Sequence, residues 1–519
     1  MSKLFSEKKL TMKEVPFFLI ARKRLKSQSF FHIVFYVFIL FIFSFPCQAT
    51  TLQNVRFGYY PNTIRVVLDF DKDFSYVTEE AEDKIIFHLK DTQANSEIKN
   101  YEEINDLVVR YLEVEKEDRD LKITIPLSED VNYSISSLSM PSRLVIDFDR
   151  DFLNLVSGGM VFDGVEYIKI KEGSSKGNLI ATVLKIDPNK ARIEPALAKK
   201  YKPSFFESFV SFFNIFKKPE PENNRHFYLD KVKNIADNNN ALAAVNGTFF
   251  ANNGAPLGAL IINQELVTLP IYDRTALIID QQNHVMIDNI FARGEVKFED
   301  GTTLEITGIN QARDGKDMVI YSPVWGDKTG AISKGIELVI IGGEIREINP
   351  SNSSIPDDGY VISASGPYAE IISKAGQMDG IVDTQFKIIP YSCSPKGLLH
   401  LIAGGPRLLK GGRIYISKHE EKFRDDVAER HAARTAVGTT KNGEIIFITV
   451  AAPQKNKAKP SLSSLGATLE ELANLLQSLG ATEALNFDGG GSTGMVADKK
   501  VVCGGGRRVS NAILIYPKP

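Results

Sequence analysis

Two runs of this chain, Arg65-Val66-Val67-Leu68-Asp69-Phe70 and Arg143-Leu144-Val145-Ile146-Asp147-Phe148, carry one pattern about 78 residues apart. Aliphatic and β-branched residues in runs this short, closed by turn residues, cannot bury a helical face and are read as strands. Lys84-Ile85-Ile86-Phe87-His88-Leu89 and Leu121-Lys122-Ile123-Thr124-Ile125 are of the same kind. The echo is one strand type used twice rather than the period of a solenoid. Residues 52–152 therefore read as a small β-sandwich, and they contain no visible catalytic constellation. The 519 residues, 43% hydrophobic and 24% charged, are a globular mix long enough for several cores. A net charge of −2 excludes a basic nucleic-acid binder.

The charge is unevenly spread. Residues 1–49 hold eight Lys/Arg against two acids, leaving 54 Lys/Arg and 62 acids for the rest. The uncharged run Phe30–Phe45 follows this basic stretch, with small residues Cys47 and Ala49 at −3 and −1 of a cut after Ala49. That is the layout of a secretory signal, or of a signal anchor if it is not cut. Export to a periplasm or cell envelope is the expectation, with a membrane anchor at the N-terminus as the variant. Within residues 52–152, Tyr60-Pro61-Asn62-Thr63-Ile64-Arg65-Val66-Val67-Leu68-Asp69 and Pro141-Ser142-Arg143-Leu144-Val145-Ile146-Asp147 resemble the AMIN domain. That resemblance implies localisation to envelope polymers such as peptidoglycan.

Residues 153–160 make a junction, and from Gly164 onward the pattern mixes strands with helices. Leu179–Ile186 is a strand between the turn residues Gly177-Asn178 and Asp187-Pro188. Phe205, Phe206, Phe209, Phe212, Phe213 and Phe216 fall on one face of a helix, packed on its own domain or touching a membrane or partner. Thr468-Leu469-Glu470-Glu471 is a capping box, and Leu469, Leu472, Leu475, Leu476 and Leu479 line one helical face before Gly480. This helix leads into a short strand, Ala484–Phe487, that ends on an acid.

Asp488-Gly489-Gly490-Gly491-Ser492-Thr493-Gly494 is the sharpest chemical signal. A carboxylate at a strand end precedes glycines that let backbone approach a ligand, and their N–H groups could line an anion nest. The other reading is a glycine-rich turn with a capping Asp. Asn246-Gly247-Thr248-Phe249-Phe250 runs a strand into a turn and two aromatics, where Asn246 either orients a sugar hydroxyl or serves the turn. Arg274-Thr275 and Arg434-Thr435 offer guanidinium groups suited to phosphate. The seven His are scattered and no CxxC occurs, so a structural zinc site is excluded. No cofactor is demanded; a divalent cation near Asp488 is compatible with the residues in view. Cys393 and Cys503 are left for a pairing that sequence cannot decide.

Taken in order, Asn246-Gly247-Thr248-Phe249-Phe250, Ala403-Gly404-Gly405-Pro406, Arg434-Thr435-Ala436-Val437-Gly438, Asn486-Phe487-Asp488-Gly489-Gly490-Gly491-Ser492 and Val509-Ser510-Asn511-Ala512 resemble the phosphodiester glycosidase family over about residues 160–519. Thr248, where a second glycine is expected, and the Phe-rich insertion depart from the pattern. The resemblance implies an α+β, mixed-sheet phosphodiester glycosidase domain, here preceded by the small β-sandwich. It also implies hydrolysis of a sugar-1-phosphodiester in a glycan or lipid, of the N-acetylglucosamine-1-phosphodiester type. On that reading Arg434 and Arg274 hold phosphate, and Asp488 stabilises an oxocarbenium-like centre or activates water. Asn246, Gly247, Thr435, Gly489, Gly490, Gly491, Ser492 and Thr493 bind substrate. The alternatives are a non-catalytic envelope glycan-binding protein and a phosphodiesterase that cuts the P–O bond.

Overall fold

A computed structural model describes residues 49–518 except 61–62, 82, 105, 107, 110, 128–130, 150–151, 175–176, 200–225, 333 and 453–463. The basic leader and the Phe-rich stretch lie outside these described residues.

The two echoing runs are neighbours. Strands Thr63–Phe70 and Ser142–Asp149 pair antiparallel with Arg65 opposite Asp147 and Asp69 opposite Arg143. The repeated Arg-and-Asp pattern therefore places opposite charges across the ladder twice, and Arg65 grips Asp147 with two hydrogen bonds of 2.6 and 2.7 Å. The alternate residues Ile64, Val66, Leu68 and Phe70 are buried. They face Ile85, Phe87, Leu89, Ile123 and Ile125 of a second five-stranded sheet, and the two sheets share one core.

The remainder is also built of sheets. An eight-stranded sheet runs, in spatial order, Phe152–Phe162, Val165–Ser174, Gly177–Ile186, Ile445–Val450, Arg434–Thr440, Ala481–Asn486, Arg407–Lys410 and Arg413–Ile414. A five-stranded sheet runs Ala191–Leu197, Asn511–Pro517, Ala243–Asn246, Gly494–Ala497 and Lys500–Gly504. Leu184, Phe447 and Leu485 of the first, with Phe487 just past its strand end, meet Val245, Met495 and Ile513 of the second in a common core. Helix Leu469–Ser478 covers the opposite face of the eight-stranded sheet with Leu469, Leu472, Leu475 and Leu476. Its capping box is formed: the Glu471 amide donates to Thr468 Oγ1 at 3.2 Å and the Thr468 amide to Glu471 Oε2 at 2.9 Å. Two further sheets are inserted between Leu260 and Ala403.

The expected α+β class is overturned: the protein is mainly β. Four short α-helices are present among the described residues, Val232–Asn238, Pro367–Ala375, Asp425–Glu429 and Leu469–Ser478. The expected mixed sheets are antiparallel as well; the parallel pairings among the described strands are two short ones, at Thr50–Leu52 with Thr92–Ala94 and Gly308–Ile309 with Val319–Ile320. The error has a physical cause. Runs such as Thr275–Asp280 and Ile445–Val450 are buried at every position, so they show no alternation and read equally as buried helix. Their brevity and β-branched content place them in sheets.

Candidate active site

Strands from the two sheets that share a core end at one place. Ala243–Asn246 and Ala481–Asn486 finish there, while Arg434–Thr440, Gly494–Ala497 and Asn511–Pro517 begin there. Asn246 ties these ends together. It is fully buried. Its Nδ2 donates to the Asp488 carbonyl at 2.7 Å, and its Oδ1 accepts from Thr435 Oγ1 at 2.8 Å and the Gly494 amide at 3.0 Å. Gly247 lies against Asn511, whose Oδ1 accepts from the Thr248 amide at 3.0 Å. A Cβ on Gly247 would sit 2.1 Å from that oxygen, so glycine is required by close approach. The Gly405 amide donates to the Asn486 carbonyl at 2.7 Å, which brings in the Ala403–Pro406 turn. The five ordered sequence motifs thus meet.

The Asp488 carboxyl is half-buried at the centre. Burial pushes it above the usual carboxylate range, against the opposing pull of the Ser492 hydroxyl, the Arg507 charge and the Gly489 amide. Arg507 Nη1 donates to Ser492 Oγ at 3.2 Å, and its guanidinium carbon stands 5.0 Å from the centre of the Phe250 ring. Asp488, Ser492 and Arg507 therefore form a connected acid, hydroxyl and cation, with Arg507 itself exposed.

Several amides of the glycine run are committed to backbone carbonyls. The Asp488 amide donates to Gly247 O, Gly490 to Ala433 O, Ser492 to Gly489 O and Thr493 to Gly490 O. Gly490 takes φ 58°, the left-handed value that turns the chain at this point. The glycines serve close packing too, since a Cβ on Gly489 would lie 2.7 Å from Ala433 O. Thr493 is buried with its hydroxyl unpartnered, as are Ser510 Oγ, Asn486 Oδ1 and Asn511 Nδ2.

The two arginines named from sequence occupy different settings. Alternation along Arg434–Thr440 turns Thr435 and Val437 toward the shared core, and Arg434 and Ala436 toward the helix-covered face. Arg434 is buried; its Nε donates to Ala467 O at 2.8 Å and its Nη2 to Arg430 O at 2.6 Å. Burial pulls its guanidinium down to about 10, and the acid that opposes this is Glu471. Arg274 is half-buried on the Phe423 ring, 3.9 Å from its centre, with Nε donating to Glu421 O at 3.2 Å. Burial lowers it too, against the Glu421 charge.

Arg507 and Glu421 are residues that sequence reading passed over. Arg507 follows a glycine run that reads as a plain loop. Glu421 stands outside every motif, yet it is fully buried and binds the Thr275 amide, the Thr275 hydroxyl, Ser417 Oγ and the Arg407 amide. A loop acid gives no sequence sign of such a role.

Among the described residues no three His, Cys, Asp or Glu side chains group as metal ligands do. Cys393 and Cys503 are both free thiols. A cleft of about 810 Å³ lies elsewhere, between Leu266, Ile309, Tyr360 and Phe386, and none of the motif residues line it.

No curated protein matches this chain. Among solved structures, a hypothetical protein from Synechocystis is similar at 22% identity and a TM-score of 0.57, covering 91% of this chain and 81% of that one. A protein of Burkholderia pseudomallei described as exported is similar at 16% identity and a TM-score of 0.53, covering 86% of this chain and 97% of that one. The catalytic domain of zebrafish N-acetylglucosamine-1-phosphodiester alpha-N-acetylglucosaminidase, auto-inhibited by its pro-peptide, aligns at 14% identity and a TM-score of 0.31, over 75% and 89% of the two chains. The first two likenesses establish a shared fold. Asp488, Ser492, Arg507 and Arg434 fall inside the stretch that carries a family signature, whereas Asn246 and Arg274 precede it. Residues 334–516 match the family model of the phosphodiester glycosidases.

Proposed function

We propose that the protein is an exported hydrolase that releases a sugar from a sugar-1-phosphodiester in the cell envelope. The observation that carries this reading is the Asp488–Ser492–Arg507 connection inside the stretch that matches the phosphodiester glycosidases. The bond to be broken joins the anomeric carbon to a phosphate oxygen. Phosphate is a weak base and leaves readily, so the site needs a cation for the departing charge more than a strong acid for the leaving oxygen. Arg507, exposed beside Ser492, suits the phosphate. Asp488 suits the anomeric centre, either by facing developing positive charge or by taking a proton from water. Ser492 holds both partners at fixed spacing.

Arg434 has a supporting part in this reading, since both of its described donations go to carbonyls. It anchors the start of its own strand beside Gly489. Asn246 likewise acts through the backbone of Asp488 rather than on sugar. The basic leader supports export, and the N-terminal β module supports attachment to an envelope polymer.

The test compares the full chain with an Asp488→Asn variant on the methyl ester of N-acetylglucosamine-1-phosphate in oxygen-18 water. Label in the sugar, with turnover lowered about 100-fold or more in the variant, is the expected outcome. Label in the phosphate would establish P–O cleavage instead. Binding without turnover would make the protein a glycan-binding module.

A further inference from the structure

Beyond Arg507, a band of alternating aromatic rings and cations leads away from Asp488. Phe250 lies under Arg507, and its neighbour Phe249 meets the Phe423 ring at 5.7 Å between centres. Phe423 carries Arg274 on its face at 3.9 Å. Arg274 also stands 5.7 Å from the Tyr272 ring, and Lys422 Nζ stands 4.3 Å from that same ring. Phe249, Phe250 and Phe423 are partly open, while Tyr272 and Lys422 are exposed.

Two details set this band apart from a chance surface cluster. Tyr272 and Lys422 both have φ of 56°, a left-handed backbone that bulky side chains rarely adopt. Both are held there with the ring and the ammonium stacked. Glu421, the residue before Lys422, is buried with its carboxylate engaged by the Thr275 amide, the Thr275 and Ser417 hydroxyls and the Arg407 amide. Asp273 accepts from the Tyr391 hydroxyl at 2.6 Å. Lys422 thus stands exposed and Arg274 half-exposed, whereas the Glu421 carboxylate, whose charge acts on Arg274, is buried.

We propose that Tyr272, Lys422 and Arg274 form a second anion subsite, which takes a further phosphate of a substrate that carries several sugar-1-phosphodiesters. The Tyr272 ring supplies an open face for a sugar, and Lys422 and Arg274 supply the charge for the next phosphate. The substrate class this selects is a repeating sugar-phosphate polymer rather than a molecule with one phosphodiester. This inference rests on the glycosidase reading of the Asp488 site.

The experiment uses the full chain, with Lys422→Asn and Tyr272→Asn, because Asn tolerates the left-handed backbone. Probes are the methyl ester of N-acetylglucosamine-1-phosphate and a trimer of the same unit joined by 1,6-phosphodiesters. Turnover and calorimetric binding are measured on both at low and high salt. The expected result is a preference for the trimer that falls about threefold to tenfold in each variant, with the Lys422 effect shrinking in high salt. Equal handling of the two probes by the wild type, or equal losses on both in the variants, would overturn the subsite. Should the wild type turn over neither probe, binding still decides: tighter binding of the trimer, weakened by Lys422→Asn, keeps the subsite and removes the glycosidase reading. Equal binding removes the subsite.

Discussion

Asp488 is a residue whose environment opposes its charge. Burial raises its carboxyl above the usual range, even with Ser492, Arg507 and the Gly489 amide pulling the other way. A carboxyl raised in the native state binds more protons there than in the unfolded chain. Its contribution to stability is therefore greatest below the unfolded Asp value of about 4 and is lost as pH rises through the native value. Asp488→Asn removes the charge while keeping the shape. Thermal unfolding at stepped pH should show the variant melting above the wild type at pH 7, with the gap closing below about pH 4. A variant that melts lower at pH 7 would mean that the hydrogen bonds to the carboxylate outweigh its burial. Asp488 was legible in sequence as a candidate, because an acid at a strand end runs straight into three glycines. The neighbouring Arg507 was not legible. Arg507 approaches from a separate loop, and no local pattern distinguishes it from Arg434, which the fold turns toward carbonyls.

Elements converge on the site because strand ends converge, and Asn246 is the pin. Its side chain bonds the Asp488 carbonyl, the Thr435 hydroxyl and the Gly494 amide, joining segments from two sheets. Asn246→Ala would strand these groups in a buried setting, and each buried group left unpaired costs about 1–3 kcal/mol. Denaturant unfolding should show a loss of about 2–4 kcal/mol, with turnover falling because the Asp488 backbone loses its tie. A loss below about 0.5 kcal/mol would show that water replaces the amide without cost. Helix Leu469–Ser478 illustrates the contrary case, an element readable from local chemistry alone. Its capping box, its leucine stripe and its terminal glycine are all encoded within thirteen residues of one another. The fully buried strands Thr275–Asp280 and Ile445–Val450 lack any such local signature.

At the scale of the whole molecule, the chemistry and the N-terminal β module have separate cores. Phe87, with no exposed surface, belongs to a core formed from residues 52–148, which shares no residue with the cores that flank Asp488. Phe87→Ala should cost about 3–5 kcal/mol in the unfolding of that module. Turnover of a soluble sugar-1-phosphodiester should be unchanged at temperatures where the variant stays folded. A matching fall in kcat would show that the module supports the site directly.

The sequence by itself determined what local chemistry can encode. It marked the two echoing strands, the capped helix, and the five motifs whose order resembles one family. Each strand, cap or motif is set by neighbours a few residues apart, so a short window contains the signal of each. Tertiary structure alone decided that the protein is mainly β, that Arg434 anchors a strand, and that Arg507 stands beside Asp488. It also decided that Tyr272, Arg274, Phe423 and Lys422 form one band. Each of these depends on residues brought together from distant parts of the chain by burial of shared cores. Burial erases the alternation that would announce a strand, and long-range contact, not sequence spacing, selects the cation that meets the acid.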